Sequence, residues 1–380
     1  MALDLVGFGI VLPVLPLYAR RYHASAGVAG ALVAAFSLAQ LVASPIWGRV
    51  SDRVGRKPVL LVSLFGTAAG SLLTGLAGAL PLLFVGRLID GASGASVSVA
   101  QASVADVAAP DQRARLFGLL GAAFGLGFVL GPAIGGALSP ISPRLPFFAA
   151  AAIAAANGVV AIRRLPETRV PRPVIDDHGG SAGASWRDPN LLPLLAVAFL
   201  SLVAFSAFEG TFALFGDRRL ALHQSSMYVV FTVIGVLIAV DQVILVHPIV
   251  ARVGERRALQ IGLVLNAVGL AALPFVHTRW ALVLPVVLLT AGQGLVTPTL
   301  ASTVAGHVNA RDRGHLLGVQ QSAGGLARVI GPAVGGLAFG RLGPWTPYAG
   351  GAALVALAAV VLLKASPELA DPDAVAVLVG

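Results

Sequence analysis

The chain reads Gly48-Arg49-Val50-Ser51-Asp52-Arg53-Val54-Gly55-Arg56-Lys57-Pro58 between two long apolar runs, residues 27–47 and 58–78. This stretch places one carboxylate among four cations, with a glycine near each end. A short polar segment between runs long enough to cross a bilayer predicts a tight turn at one membrane surface. Its charged side chains can reach neighbouring helix ends through charge-assisted hydrogen bonds.

The composition of the whole chain points to lipid as its solvent. Of 380 residues, 57% are hydrophobic and 11% are charged, and the mean hydropathy is +0.87. A soluble domain carries about 25% charged residues. The apolar runs are continuous over about 20 residues, which favours helices over the alternating strands of a membrane barrel. The composition therefore predicts an all-α membrane protein, bounded by a lipid bilayer.

Windows of helix length divide the chain into twelve predicted spans. These are residues 3–19, 27–47, 58–78, 82–104, 116–138, 146–163, 191–214, 225–247, 258–277, 280–304, 315–338 and 347–365. The first is short for a span, and only Met1 and Ala2 precede it, so we expect its helix to begin upstream of this sequence.

The spacing of the spans predicts two six-helix bundles, residues 1–165 and 191–365, a cytoplasmic linker at 166–190, and a cytoplasmic tail at 366–380. Most of the 26 Lys and Arg residues fall on one side of the predicted spans, which predicts that both termini are cytoplasmic. The net charge of +9 therefore reflects topology, and we expect no nucleic-acid partner because no single face concentrates it.

An internal repeat relates the two bundles. Gly131-Pro132-Ala133-Ile134-Gly135-Gly136 recurs as Gly331-Pro332-Ala333-Val334-Gly335-Gly336, and Arg53-Val54-Gly55 recurs as Arg252-Val253-Gly254. Parallel repeats of six helices are a transporter architecture in which substrate binds near the bilayer midplane. In the second copy, Ala251 stands where Asp52 stands in the first, so we expect a weaker contact there.

The loop quoted above resembles the signature loop of the major facilitator superfamily. The resemblance rests on the pattern Gly-x-x-x-Asp-Arg-x-Gly-Arg-Lys, formed by Gly48, Asp52, Arg53, Gly55, Arg56 and Lys57. It implies the major facilitator fold, with two six-helix bundles (6+6) related by a pseudo-two-fold axis along the membrane normal. It also implies that these six residues form a cytoplasmic gating loop.

The fifth predicted span carries glycines that permit close helix packing and a proline that bends the axis. Glycine-rich packing occurs in any membrane bundle, but Gly-x-x-x-Gly-Pro-x-x-Gly-Gly resembles the signature of drug:proton antiporters within the superfamily. Its residues are Gly127, Gly131, Pro132, Gly135 and Gly136. The first span is similar to the first helix of the twelve-helix antiporter branch that includes tetracycline exporters.

Ionisable residues inside predicted spans are the candidates for proton coupling, because charges in a bilayer are costly and usually functional. Arg87 and Asp90 share one helical face at i, i+3, and the superfamily's fourth-helix motif has an arginine where Arg87 stands. The pair can also be a self-satisfied structural contact. The other candidates are Asp4, Glu209 and Asp241.

Each of these acids also has a structural interpretation. Asp4 can be an N-terminal helix charge, and Glu209 can be an exposed residue at the periplasmic end of its span. Asp241 has no cation in its own turn, which favours a role in a cavity. Arg328 lies within the eleventh span as a counter-charge or a structural anchor.

Uncharged polar groups within spans are the candidates for the substrate cavity, with interhelical hydrogen bonds as the alternative. They are Gln40, Gln242, Gln293, Gln320 and Gln321. The sequence has no cysteine, no histidine pair with metal-ligand spacing, and no phosphate-binding glycine loop. We therefore expect no metal and no cofactor, with the proton gradient as the driving force.

Together these patterns predict a monomeric multi-pass transporter of the bacterial cytoplasmic membrane. We expect it to export small amphipathic, drug-like molecules, tetracycline-like compounds among them, in exchange for protons by alternating access. The alternative is an uptake symporter or facilitator for sugars or metabolites on the same fold. A membrane-embedded enzyme would need a nucleophile–base pair or metal set at one depth, and a protein without transport activity remains open because the first span is short.

Overall fold

The computed structural model describes residues 2–107, 113–168, 191–306 and 313–364, and within these ranges the chain is helical without any strand. We number the α-helices in chain order. They are α1 Ala2–Val11, α2 Leu15–Arg20, α3 Ala26–Val54, α4 Arg56–Leu76, α5 Leu80–Ala92, α6 Ser96–Val107, α7 Arg113–Leu138, α8 Leu145–Arg164, α9 Leu191–Leu220, α10 Gln224–Asp241, α11 His247–Ala272, α12 Val283–Gly306, α13 Arg313–Arg341 and α14 Thr346–Lys364. A π-helical turn, Gln242–Val246, joins α10 to α11, and short 3-10 turns lie at Leu273–Phe275 and Trp280–Leu282.

Local sequence explains where many of these helices begin and bend. Proline occupies one of the first two positions of α2, α5, α8 and α11, where its missing N–H costs no hydrogen bond. The side chain of Ser25 accepts a hydrogen bond from the amide of Val28 and so caps the start of α3. Pro45, Pro132, Pro298 and Pro332 lie inside helices, where proline bends the axis.

Eleven helical segments within the described ranges are long and apolar enough to cross a membrane. They match the predicted spans except the fifth, which corresponds to the 26-residue helix α7 and its apolar part Gly125–Leu138. The first and fourth predicted spans are each interrupted, between α1 and α2 and between α5 and α6. The all-helical, membrane-spanning fold predicted from composition is confirmed.

The predicted turn at residues 48–58 and the gap between predicted spans at 248–257 are both mostly helical in the structure. In the first, α3 continues to Val54 and α4 begins at Arg56. Helical conformation continues from α10 through the π turn into α11, and the backbone breaks only at Gly254, with φ 77° and ψ 163°. Gly55 has φ 109° and ψ 160°. Both glycines therefore adopt backbone angles that are essentially restricted to glycine, at corresponding positions of the sequence repeat.

The described helices belong to two compact units. Unit 1 contains residues 1–175 and 209–236, and unit 2 contains residues 176–208 and 237–380. In unit 1, α1 packs against α7 and α4 packs against α8. In unit 2, α11 packs against both α12 and α14.

The repeated Gly-Pro motif occupies similar environments in the two units. A methyl group on Gly131 would lie 2.7 Å from the Cα of Gly9 in α1. A methyl group on Gly331 would lie 2.7 Å from the carbonyl oxygen of Val203 in α9. In each unit the motif's first glycine thus permits close contact with the first helix of its half of the sequence.

Candidate functional site

Unit 1 contains a buried ion pair on α5. The Nη2 atom of Arg87 lies 2.8 Å from Oδ2 of Asp90, and the two residues are 3% and 6% exposed. The helical period places them on one face, as the sequence predicted. The guanidinium carbon of Arg87 also lies 5.8 Å from the centre of the Phe36 ring, within the range of a cation–π contact.

A second acid belongs to the same region. The hydroxyl of Ser96, at the start of α6, donates a hydrogen bond to the carboxylate of Asp4 in α1. Asp4 and Asp90 are close enough for their charges to interact. The break between α5 and α6 places Ser96 at a helix start, so one predicted span supplies both the ion pair and the hydroxyl that contacts Asp4.

Aromatic side chains adjoin these charges. The ring of Phe8 lies 5.6 Å from that of Phe36 and 6.2 Å from that of Phe128, measured between centroids. Phe36 is also the ring beside Arg87. A region with acids, a cation and aromatic faces can bind amphipathic molecules that have a polar end and an apolar body.

Unit 2 contains another of the acids predicted within a span, Asp241. Asp241 ends α10 and is 6% exposed, and its Oδ2 atom has no hydrogen-bond partner among the described residues. A methyl group on Gly294 of α12 would lie 3.1 Å from the Cβ of Asp241, so this glycine allows the two helices to approach. The π turn begins directly after Asp241, and such turns are frequent at functional sites.

The four predicted cavity glutamines whose side chains are described have different surroundings. Gln40 donates to the carbonyl of Gly94 at 3.1 Å. Gln293 accepts from Asn266 at 2.8 Å and donates to Thr297 at 3.1 Å, which is the interhelical bonding given as the alternative. Gln320 is half-buried and Gln321 is exposed, and the side chain of Gln242 lies outside the described part of the chain.

Two other ionisable residues within spans are less buried than Asp90 and Asp241. Glu209 is half-buried in α9 and belongs to unit 1, whereas Arg328 of α13 is exposed and belongs to unit 2. Both interpretations of Arg328, counter-charge and structural anchor, stay predictions.

The five residues of the fifth-span motif form a packing surface on α7. A methyl group on Gly127 would lie 2.6 Å from the Cβ of Leu5, and one on Gly136 would lie 3.1 Å from the Cβ of Tyr228. Gly131 meets Gly9, Gly135 meets the ring of Tyr228, and Pro132 lies within the helix. The hydroxyl of Tyr228 donates to the carbonyl of Ile10 at 3.0 Å, so α7 and α10 are both held against α1 within unit 1.

The first turn, residues 48–57, is held by a network around Arg56. Its Nη1 atom donates to Asp52 and to Ser51, at 2.6 Å each, and its Nε atom donates to Asp106 at 2.9 Å. Ser51 in turn donates to the carbonyl of Gly48 at 2.8 Å. Asp106 lies at the end of α6, so the guanidinium joins the turn to a neighbouring helix end, as the charge pattern predicted.

Glu167, which follows α8, also contacts the first turn. Its carboxylate accepts hydrogen bonds from the amides of Arg56 and Lys57, at 2.8 and 3.1 Å. These amides open α4, where a negative charge is favourable. A methyl group on Gly55 would lie 2.9 Å from the Cδ atom of Glu167, so a larger residue there would displace this carboxylate in addition to straining the backbone.

The second turn, residues 251–257, uses a different acid. The hydroxyls of Ser302 and Thr303, near the end of α12, donate to the carboxylate of Glu255 at 2.5 and 2.9 Å. No atom of the described part of the chain lies within 4 Å of a methyl group placed on Gly254. The second turn therefore contacts a neighbouring helix through hydroxyls that donate to its own carboxylate.

Several of these residues were missed by reasoning from the sequence. Ser96, Asp106, Glu167 and Glu255 act through partners far away in the chain. The same holds for Arg20, which pairs with Asp217 in unit 1. Only Pro166-Glu167-Thr168, an acid directly after a predicted span, gave a local signal. Among the described residues, no group of three His, Asp or Glu side chains could hold a metal ion.

Comparisons with known proteins show which family this chain is similar to. A family profile described as Major Facilitator Superfamily matches residues 1–246 and 242–376. The tetracycline resistance protein, class B, of Escherichia coli is 34% identical over 343 residues, covering 87% of this chain and 84% of that protein. Multidrug resistance protein 2 of Bacillus subtilis is 30% identical over 350 residues, covering 88% and 85%.

A solved structure agrees with the fold. The human organic anion transporter MFSD10 (TETRAN) is 26% identical, with a TM-score of 0.72 over 95% of this chain and 96% of that one. The agreement extends over nearly the whole of both chains, so the likeness is not confined to one bundle.

Proposed function

Because this chain belongs to the Major Facilitator Superfamily and is a multi-pass membrane protein, we propose that it exports small amphipathic, drug-like molecules in exchange for protons. The observation that carries the proposal is its similarity, over most of its length, to proteins named for tetracycline resistance and for multidrug resistance. Tetracycline-like compounds are therefore the first candidates for the substrate. The relatives are transport proteins, and we assign no enzymatic activity to this chain.

We assign the proton to acids within the spans of the two units, the half-buried Asp4 and the buried Asp241. Asp4 accepts one hydrogen bond from a neutral hydroxyl, and Asp241 has an unpartnered oxygen, so either can take up a proton without breaking an ion pair. Asp90 has Arg87 as its partner, and protonating it would leave a buried cation, which is costly. Arg87 and Asp90 then act as a coupled pair that exchanges partners when substrate binds, while Glu209 remains a further candidate.

In the alternating-access mechanism, these groups act in a fixed order. A proton taken up from one side neutralises an acid, and substrate leaves as the halves change their opening. The first-turn residues gate the cytoplasmic side, and the Gly127–Gly136 surface supports the periplasmic side. We further propose that the protein acts as a monomer in the bacterial cytoplasmic membrane, with both termini in the cytoplasm and residues 166–190 as the linker.

Proton release from inverted membrane vesicles tests this proposal. With an imposed pH gradient, a panel of lipophilic drugs that includes tetracycline should trigger proton movement for at least one compound. Asp4→Asn and Asp241→Asn should abolish the response, whereas Asp176→Asn, in the predicted linker, is the matched control and should retain it. Absence of any response from folded, inserted protein would refute drug antiport and favour uptake of a metabolite instead.

A further inference from the structure

A cavity of about 370 Å³ lies in unit 1 between α4, α6 and α8. Its walls are mostly apolar and include Leu60, Leu64, Ala100, Val104 and Val160. A volume of this size falls within the range of small-molecule sites, about 300–1,000 Å³. It is separate from the buried acids, although Ser96 lies on its inner wall.

The cavity extends along α4 and α8 from the ends of these helices toward their middle. Arg56 and Leu64 both line it and are eight residues apart on α4, a distance of about 12 Å along a helix. Asn157 and Arg164 line it along the last two turns of α8. A ligand that fills it therefore needs an apolar part of comparable length, which a free phosphate or a soluble metabolite lacks.

Cations stand at the surface end of the cavity, and no carboxylate is among the described residues that line it. Arg56 is already bonded to Asp52 and Asp106. Lys57 donates to the carbonyl of Ile162 at 2.9 Å, which uses one of the three N–H donors of an ammonium group. The side chain of Arg164 is exposed at the end of α8, so these two residues have donors for an anion.

Two polar atoms on the wall lack partners. Nδ2 of Asn157 and Oγ1 of Thr168 are buried, and neither has a hydrogen-bond partner among the described residues. Buried polar atoms are nearly always paired in folded proteins. Each of these side chains can donate to an acceptor on a ligand, such as a phosphate or ester oxygen, once it turns toward the cavity that its residue lines.

We propose that this cavity binds one anionic phospholipid, with its phosphate between Lys57 and Arg164 and an acyl chain along the apolar wall. Basic pockets between transmembrane helices on the cytoplasmic side are known to take anionic lipid headgroups. Assignment to the cytoplasmic leaflet rests on the orientation proposed above. Binding itself does not depend on which compound the protein transports. Because the amide of Lys57 contacts Glu167, a bound lipid would also support the first turn.

Native mass spectrometry of the purified protein in detergent tests the proposal. Dioleoylphosphatidylglycerol should remain bound at concentrations about tenfold lower than dioleoylphosphatidylcholine. Arg164→Gln and Asn157→Leu should each remove most of this preference. Arg163→Gln, which changes an exposed arginine one residue away that does not line the cavity, is the matched control and should keep it.

Equal retention of the two lipids would overturn the proposal, and so would an equal effect of Arg163→Gln and Arg164→Gln. Inorganic phosphate and glycerol 3-phosphate are added in parallel. If either binds as tightly as phosphatidylglycerol, the ligand is a soluble phosphate and the lipid assignment is wrong. Arg164 is exposed, so Arg164→Gln carries the test if Asn157→Leu fails to fold, and the result is independent of the proton-release measurement.

Discussion

The first and second turns share a backbone and differ in how they are held. Each ends a helix at a glycine with positive φ, Gly55 in one and Gly254 in the other. In the first turn, acids from elsewhere in the chain contact the turn: Asp106 pairs with Arg56, and Glu167 accepts from the amides that open α4. In the second turn, the turn's own acid, Glu255, contacts hydroxyls at the end of α12.

This difference shows which residues of the turn are the same in both copies of the repeat and which ones differ. The glycine is retained because its backbone angles are costly for any other residue. The side chains around it can be exchanged, since either an ion pair or a carboxylate–hydroxyl contact holds the turn to a neighbouring helix end. The first turn contains more charge, so its contacts should respond more strongly to substitution.

The largest loss of stability in both turns is expected when their glycines are substituted. Gly254→Ala should cost about 1–3 kcal/mol from backbone strain alone. Gly55→Ala carries the same strain and in addition displaces Glu167, so it should destabilise the protein more and reduce transport more. Thermal unfolding in detergent, together with drug-dependent proton release, measures both effects. Equal losses of stability would show that the contact with Glu167 contributes little.

A smaller effect is expected from removing one acid in each turn. Asp106→Asn leaves the guanidinium of Arg56 with Asp52 as its remaining carboxylate, and the Asp106–Arg56 pair is largely buried, with side chains 11% and 12% exposed. A loss of about 1–2 kcal/mol is expected.

Glu255→Gln keeps an oxygen that can accept from Ser302 or Thr303, so its cost should stay below about 1 kcal/mol. Unfolding midpoints of the two variants, measured side by side, check the order. A greater loss for Glu255→Gln would contradict the view that the first turn depends more on charge.

The smallest effect is expected from an attempt to recreate the Asp52–Arg56 ion pair in the second turn. Ala251→Asp alone places two carboxylates four residues apart, at positions 251 and 255, and should destabilise by about 0.2–0.5 kcal/mol. Adding Glu255→Arg recreates the spacing of Asp52 and Arg56 and should recover a similar amount. It also removes the contact with Ser302 and Thr303.

A double-mutant cycle over positions 251 and 255 separates these contributions. A favourable coupling between the two new side chains is expected at low salt, and it should weaken as salt screens the pair. No coupling at low salt would mean that the second turn does not bring the two positions together as the first turn does.

The features that were predicted from the sequence are those carried by local pattern. Helical spacing alone placed Arg87 beside Asp90, and the repeat identified Gly254 as the residue that corresponds to Gly55 in the sequence. The contacts of Ser96 with Asp4 and of Glu167 with α4 join residues 92 and 111 positions apart. Such contacts depend on how helices pack, and no pattern in a single sequence specifies the neighbour.

The same reasoning explains the gap between predicted spans at 248–257 and the glycine motif of α7. The hydropathy windows left residues 248–257 between two predicted spans, but only Gly254 departs from helical angles there. For the motif, close packing was predicted and is observed, whereas its partners, Gly9 and Tyr228, follow from tertiary packing.

The π turn after Asp241 determines how this residue is rotated about the helix axis relative to the residues that follow it. Hydrogen bonds in such a turn span five residues instead of four, so the turn contains one residue more than an α-helix would use. Each residue of an α-helix turns the chain by about 100°. Removal of one residue between 242 and 246 would therefore rotate Asp241 about a quarter turn relative to every residue after it. The direction in which this carboxylate points is thus set by a residue count in the turn rather than by the identity of any side chain there.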